Sequence, residues 1–323
     1  MHLFSVAPMM KKTDKHFRFL CRNLSKNTLL YTEMIHSNAI LRGNVKRLLD
    51  DIPNQNPLVL QLGGSEPADL ANAVEIASDY NYNEINLNVG CPSKKVKSGN
   101  FGVFLMKDIK LLSSCVKAMQ KKISVPLTIK CRIGVDDYEG HKFLHGFVSE
   151  LKDCGVDTFI IHARKAISGL DTKRNRSIPP LQYDAVYEIK DAFPDLKIII
   201  NGGIESIDQV KSHLNHVDGV MLGRKIYADP LFLCDVDKNI FNESTASPIE
   251  ALNAYMKYIL NLEHRGDVNR AINHLMVMLK SLSIKKNQRN RLLDSLKDTN
   301  SNMVDLFKDL QVNLHQKNPV PNL

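Results

Sequence analysis

Short apolar runs rich in β-branched residues alternate along this chain with longer segments whose apolar positions recur at helical spacing. Residues 3–9, 28–34, 58–62, 84–89, 127–132, 158–163, 197–200 and 219–222 read as eight strands. Between them, residues 69–79, 110–121, 140–154, 183–192 and 207–213 read as amphipathic helices. The run 197–200 is apolar without alternation, which suits a strand buried on both faces of a parallel sheet. Eight β-then-α units in about 225 residues predict an α/β protein built on a (β/α)8 TIM barrel. A doubly wound open sheet is the runner-up, but no G-x-G-x-x-G follows the first strand.

Past residue 238 the strands stop. Ser247-Pro248 opens a helical remainder with amphipathic stretches at 251–262, 268–283 and 288–296. The expected domains are therefore a barrel over 1–238 and an all-helical domain over 247–323, with a frayed end after Gln311.

Polar residues fall repeatedly at predicted strand ends: Pro8-Met9-Met10, Gln61, Asn88 with Cys91, Lys130 with Arg132, His162 with Arg164, Asn201-Gly202-Gly203 and Gly223-Arg224. In a barrel those ends converge on one face, so the pattern predicts a site there. Cys91 stands out because Gly90 and Pro92 break the strand around it and present the thiol on a turn. Taken alone, it reads equally as a small apolar residue at a buried strand end.

Composition changes this picture in one respect. The 323 residues carry a net charge of +8, which favours a polyanionic partner over a neutral one. Lys280, Lys285, Lys286, Arg289 and Arg291 form a run without an acid; it reads either as a solvated helix face or as a phosphate-backbone contact. The six cysteines include no C-x-x-C pair, so neither a disulfide scaffold nor a metal site is expected. Residues 1–10 do not fit a signal peptide, and no apolar run approaches the ~20 residues of a membrane span. A cytoplasmic protein is expected.

The strand ends suit a flavin. Two consecutive glycine turns, Asn201-Gly202-Gly203 and Gly223-Arg224, lie where barrels bind phosphate, and Arg224 offers a bidentate grip; a lone Gly-Gly turn would equally be loop geometry. Pro8, Met9 and Met10 offer an apolar surface for a ring system. Gln61 can both donate and accept at a pyrimidine edge. Lys130 can neutralise charge near N1 of a reduced flavin, or alternatively pair with Glu84 or Glu33. His162 reads as a ligand contact or as a core histidine. Given a reduced flavin, a thiol with an ordinary pKa of ~8.5 can protonate the enolate left by hydride addition to an electron-poor double bond such as that of uracil.

These residues carry a family resemblance. Leu-Asn-Val-Gly-Cys-Pro-Ser at 87–93, Ile-Lys-Cys-Arg-Ile-Gly at 129–134 and His-Ala-Arg-Lys-Ala at 162–166 resemble the tRNA-dihydrouridine synthases, most closely the bacterial A-type acting on uridines 20 and 20a. Further matching stretches at 5–10, 29–34, 60–66, 98–102, 178–181, 201–204 and 216–224 extend the resemblance over the whole barrel. The resemblance implies an FMN-binding barrel, NADPH as reductant, and a tRNA substrate whose D-loop uridine is extruded at the elbow. It implies that hydride goes from FMN to C6 and that Cys91 delivers the proton to C5. It further implies that Pro8, Met9, Met10, Gln61, Lys130, His162, Asn201, Gly202, Gly203, Gly223 and Arg224 hold FMN. Asn88 would read the uracil edge, while Lys173, Arg176, Lys286 and Arg289 would meet tRNA. The protein is expected to act as a monomer without a metal.

The chain also departs from the family's pattern. Lys11-Lys12 replaces an Asp-Trp-like pair, and Val103-Phe104 follows Gly102 where smaller residues are usual. The loop 165–176 is one residue shorter, with Ile167-Ser168 in place of a Trp, and the C-terminal turn reads Ser281-Leu282-Ser283-Ile284 with Gln288 at a Trp position. Three other readings stand beside it: a flavin barrel acting on a free pyrimidine, a tRNA-binding protein without redox activity, and a phosphosugar-binding barrel without flavin, which would leave Cys91 and Gln61 idle.

Overall fold

A computed structural model describes residues 2–49, 55–244, 246–297, 304–308 and 310; the end read as frayed after Gln311 lies outside them. Eight parallel strands form the barrel: β1 (Phe4–Val6), β2 (Leu30–Tyr31), β3 (Leu58–Gly63), β4 (Glu84–Val89), β5 (Leu127–Arg132), β6 (Thr158–His162), β7 (Lys197–Asn201) and β8 (Gly219–Leu222). Each pairs with its neighbour in chain order from β2 to β8, and β8 pairs back onto β1. The ring closes between β1 and β2 through a parallel bridge from Ser5 to Leu29, with Val6 N–H donating to Leu29 O at 2.9 Å. A two-residue strand, Ile35–His36, extends the β2 side by pairing with Leu62 and Gly63.

The predicted strands all appear: 3–9, 28–34 and 158–163 are trimmed, 58–62 and 197–200 each run one residue further, and the other three keep their bounds. The segment 28–34 is broken at Thr32, whose hydroxyl oxygen accepts from the Gln61 backbone N–H at 3.0 Å. Helices form where the periodicity places them, at Pro67–Ala77, Ile109–Gln120, His141–Asp153, Asp184–Ala192 and Ile207–Leu214. Asp108 and Ser206 cap two of these by accepting from Leu111 N–H and Gln209 N–H, which satisfies otherwise orphaned first-turn donors.

By internal contacts the chain forms two compact units. One comprises the described residues up to Asp14 with Asn27–Gly223, and contains the whole barrel; the other comprises Lys15–Lys26 with the described residues from Arg224 on. The sequence places its boundary at 238 instead, and gives Lys15–Lys26 to the barrel. The physical reason for the difference is the helix Lys15–Leu24, which the sequence reading passes over. Phe17, Leu20, Cys21 and Leu24 recur at helical spacing and are buried. Phe17 packs its ring against Tyr227 and His274 with centroids 5.1 and 5.3 Å away, and Phe19 stacks on Tyr258 at 4.2 Å.

The rest of this second unit is helical. Ser247 caps Pro248–Leu260, with Pro248 in the first turn, and Arg265–Ser281 and Lys286–Lys297 follow. Asp267 lies 3.5 Å from Lys15 and 3.4 Å from His16. Burial opposes its ionisation, but the Arg270 hydrogen bond and the surrounding cations prevail and draw its pKa down to about 2. Arg265–Ser281 ends with Ser283 at φ 60°, a left-handed position more usually given to glycine.

Candidate active site

Strand register sets which side chains share the barrel interior. Asn88 aligns with Lys130, and Arg132, His162, Asn201 and Met221 align successively across β5 to β8. Alternation then points Glu84, Asn86 and Asn88 of β4, and Thr128, Lys130 and Arg132 of β5, to one face.

Cys91 follows β4 and is half-buried. Both of its backbone groups are held. Its N–H donates to Asn88 Oδ1 at 3.0 Å, and its carbonyl accepts from Val103 N–H at 3.1 Å. Gly90 N–H also donates to Asn88 Oδ1, at 3.2 Å. Gly102 makes the return possible: it sits at φ 61°, and a Cβ there would stand 2.8 Å from the Cys91 carbonyl and 2.5 Å from a Val96 methyl. The thiol is therefore presented by a fixed loop.

Lys130 is half-buried in the mouth, with its ammonium 3.2 Å from Asn201 Oδ1. Desolvation, with help from the nearby Arg132 cation, lowers its pKa from 10.5 to about 8. The alternative ion pair with Glu84 or Glu33 does not describe what those acids do. Glu84 faces His2, Thr128 and Tyr31, and Glu33 accepts from the Lys11 backbone N–H. Asn201 also donates to Met221 O at 2.7 Å, so its carbonyl oxygen is turned to the lysine.

After β7, Gly202 and Gly203 have φ of 125° and 72°. A Cβ on Gly202 would stand 2.7 Å from His162 Cδ2, and one on Gly203 would stand 2.5 Å from Leu181 Cδ1. Only glycine fits, and the bare turn leaves backbone available to an anion. Tyr183 fixes it by donating to Gly202 O at 2.7 Å. Pro8 and Met9 are half-buried and Met10 is exposed; Met9 Sδ lies 3.1 Å from where a Cβ on Gly223 would stand. Gln61 is buried, with its amide nitrogen donating to Asn86 Oδ1 at 2.8 Å and its oxygen accepting from Asn88 Nδ2 at 2.9 Å. Arg224 opens the short helix Arg224–Ala228 and belongs to the second unit. The barrel thus brings together Cys91, Gln61, Asn88, Lys130, His162, Asn201, Gly202, Gly203, Gly223 and the 8–10 segment. An anion cradle, a cation and amides of both polarities fit a flavin phosphate and ring edge.

Lys173 and Arg176 are exposed on the loop after β6. Asn175, fully buried between them, accepts from Ile167 N–H and donates to the Ile167 and Leu170 carbonyls, all within 2.9 Å. Arg132 ties this loop to the Cys91 loop: its guanidinium donates to Gly90 O at 3.0 Å, Lys165 O at 3.2 Å and Asn175 O at 3.0 Å. The sequence reading names Arg132 at a strand end without giving it this role, and misses Asn175 altogether. Two-residue spacing from Lys130 places Arg132 on the inner face, but its acceptors are backbone carbonyls that no sequence pattern reveals. In the second unit Lys286 is exposed, whereas Arg289 is half-buried and donates to Ile284 O at 3.0 Å. Among the described residues, no group of three His, Cys, Asp or Glu is placed to hold a metal, and no helix is long and apolar enough to cross a membrane.

Comparison with known proteins bears on most of the chain. The family model described as "Dihydrouridine synthase (Dus)" matches residues 5–315. A tRNA-dihydrouridine(20/20a) synthase of Synechocystis sp. is 45% identical over 295 residues, covering 90% of this chain and 88% of its own. Proteins of the same description from Shigella flexneri and Escherichia coli K12 are 47% and 49% identical, covering 84% and 79% of this chain and 80% and 75% of theirs. Among solved structures, a 2-naphthoyl-CoA reductase complex shares the fold at a TM-score of 0.56 and 10% identity, over 75% of this chain and 51% of that one.

Proposed function

Since the chain belongs to the dihydrouridine synthase family, we propose that it reduces uridine in tRNA to 5,6-dihydrouridine, at positions 20 and 20a of the D-loop. The family is flavin-dependent, and FMN, re-reduced by NADPH, is the form this mouth would take. When bound, the flavin supplies the hydride that adds to C6 of the uracil.

The chain's own residues do the rest. Cys91 delivers a proton to C5, completing addition across the C5=C6 bond. Its fixed loop supports this reading, because general-acid transfer requires a donor held within hydrogen-bond reach. Lys130 and Asn201 meet the polar edge of the ring, and Gln61 meets its pyrimidine side. Gly202 and Gly203, with Gly223 and the chain-adjacent Arg224, receive the phosphate, while His162 walls that turn. Pro8, Met9 and Met10 line the ring. Asn88 bears on the uracil edge while its oxygen holds the Cys91 N–H. Lys173 and Arg176, with Lys286 and Arg289 of the helical unit, contact tRNA phosphates. The protein works in the cytoplasm as a monomer.

The observation carrying this reading is a thiol on a clamped loop in the same barrel mouth as a desolvated lysine and a glycine cradle. Its test is the visible spectrum of the purified protein. Flavin bands should bleach with NADPH and return anaerobically on adding unmodified tRNA. Recovery with free uridine but not with tRNA would favour a free pyrimidine as substrate. A colourless protein that takes up no FMN would overturn the enzyme.

A further inference from the structure

A single-file chain of side-chain hydrogen bonds runs through the barrel interior and ends at the Cys91 loop. It begins at Glu84, which is fully buried and lies with Oε2 2.7 Å from His2 Nε2. Thr128 Oγ1 donates to Glu84 Oε1 at 2.5 Å, and Asn86 Nδ2 donates to Thr128 Oγ1 at 2.8 Å. Gln61 Nε2 then donates to Asn86 Oδ1 at 2.8 Å, and Asn88 Nδ2 donates to Gln61 Oε1 at 2.9 Å. Finally the backbone N–H groups of Gly90 and Cys91 donate to Asn88 Oδ1. Glu84, Thr128, Asn86 and Gln61 are at most 1% exposed, and Asn88 is 9% exposed, so water cannot readily substitute for these partners.

The two ends dictate the polarity of everything between them. A backbone N–H can only donate, so Asn88 must turn its oxygen to the Cys91 loop and its NH2 inward. Gln61 must then offer its oxygen to Asn88 and its NH2 to Asn86, and Asn86 its NH2 to Thr128. The Thr128 hydroxyl, having accepted, needs an acceptor for its own proton. Glu84 Oε1, a carboxyl oxygen, supplies it. Reversing any one amide sets donor against donor somewhere along the file.

We propose that Glu84 and Thr128 are positioning residues that act through Asn86, Gln61 and Asn88 to fix the amide polarity facing the flavin and the seating of the Cys91 loop. The proposal rests on the roles given above to Gln61 and Cys91. It predicts that a hydroxyl at position 128, remote along the file from the thiol, controls how the thiol is presented.

The test compares Thr128→Val and Thr128→Ser with wild type. In flavin-free protein, alkylation of Cys91 by iodoacetamide is followed by mass spectrometry of the peptide containing it. Thr128→Val keeps the shape and removes the hydroxyl, and alkylation of Cys91 is expected to rise about three- to tenfold as the loop loosens. In flavin-loaded protein kcat for uridine reduction should fall while the KM for tRNA holds. Thr128→Ser should restore both. Should Thr128→Val not fold, Thr128→Ala removes the same hydroxyl with less bulk and carries the same expectations. Alkylation at the wild-type rate in the folded variant, or a Thr128→Ser that fails to rescue, would overturn the proposal. The alkylation readout needs no turnover. A wild-type protein unable to reduce uridine would count against the proposed function and leave the positioning result readable.

Discussion

Strands β3 to β5 and strands β6 to β8 line one barrel, yet they fill it with different material. The first set turns Gln61, Glu84, Asn86, Asn88 and Thr128 inward, joined to one another by hydrogen bonds, together with Lys130, which reaches Asn201, and Arg132, which holds backbone carbonyls. The second set contributes Ile160, Ile199 and Met221 to a buried apolar cluster with Ala7, Leu29, Tyr31 and Val59, and shows polar groups chiefly at the mouth, in His162 and Asn201. Buried amides cost free energy unless every donor meets an acceptor, so the polar side is sensitive to a single missing partner. The apolar side is non-directional and answers to volume instead. The lesson is that the Cys91 loop is mounted on the directional side, where geometry is specified atom by atom. The other side supplies packing and, at Gly202 and Gly203, a bare backbone.

The contrast can be broken at its strongest point by Cys91→Ala. This variant should retain flavin and its reduction by NADPH, yet lose about 10²–10⁴-fold in uridine reduction. Single-turnover measurement on unmodified tRNA checks it, and unchanged turnover would remove Cys91 from the chemistry. On the apolar side, Ile199→Ala should destabilise the protein by about 2–5 kcal/mol in urea unfolding, with no selective effect on Cys91 alkylation. A loop that loosened as much as with Thr128→Val would erase the distinction between the two sides.

Lys130 sharpens the comparison through pH. Its folded pKa of about 8 lies below the ordinary 10.5, so between these values the unfolded chain holds a proton that the native chain has shed. Stability attributable to this site therefore rises with pH across that window. Lys130→Met should be more stable than wild type at pH 7, on the order of 1–3 kcal/mol, and its advantage should shrink as pH climbs from 8 to 10.5. The same variant should bind flavin more weakly, so a stability gain accompanied by undiminished flavin binding would argue against the role given to the ammonium. The smallest effect expected is at Arg289. Arg289→Ala should flatten the salt dependence of tRNA binding by roughly one charge. An unaltered slope would mean that its hydrogen bond to Ile284 O is its whole role.

Eight strands and the principal helices were legible in the sequence because burial on both sheet faces and helical amphipathicity leave direct periodic traces. The strand-end residues were legible too, since a parallel barrel gathers all its carboxyl ends on one side. Lys15–Leu24 carries the same kind of helical signal, and only packing reveals that it belongs with the helices after Arg224. Arg132 and Asn175 were obscure because they serve backbone carbonyls, which every residue has and no pattern marks.

The sequence by itself determined the barrel, the thiol on its turn, the glycine turns and the cations at strand ends, because each follows from residue type and spacing along the chain. The tertiary structure alone decided which inward polar groups meet, and in which direction each donates. Thr128 and Asn86 lie 42 residues apart, and Gln61 and Asn88 lie 27 apart. A hydrogen bond is fixed by distance and direction in space, and strand register rather than sequence separation sets both.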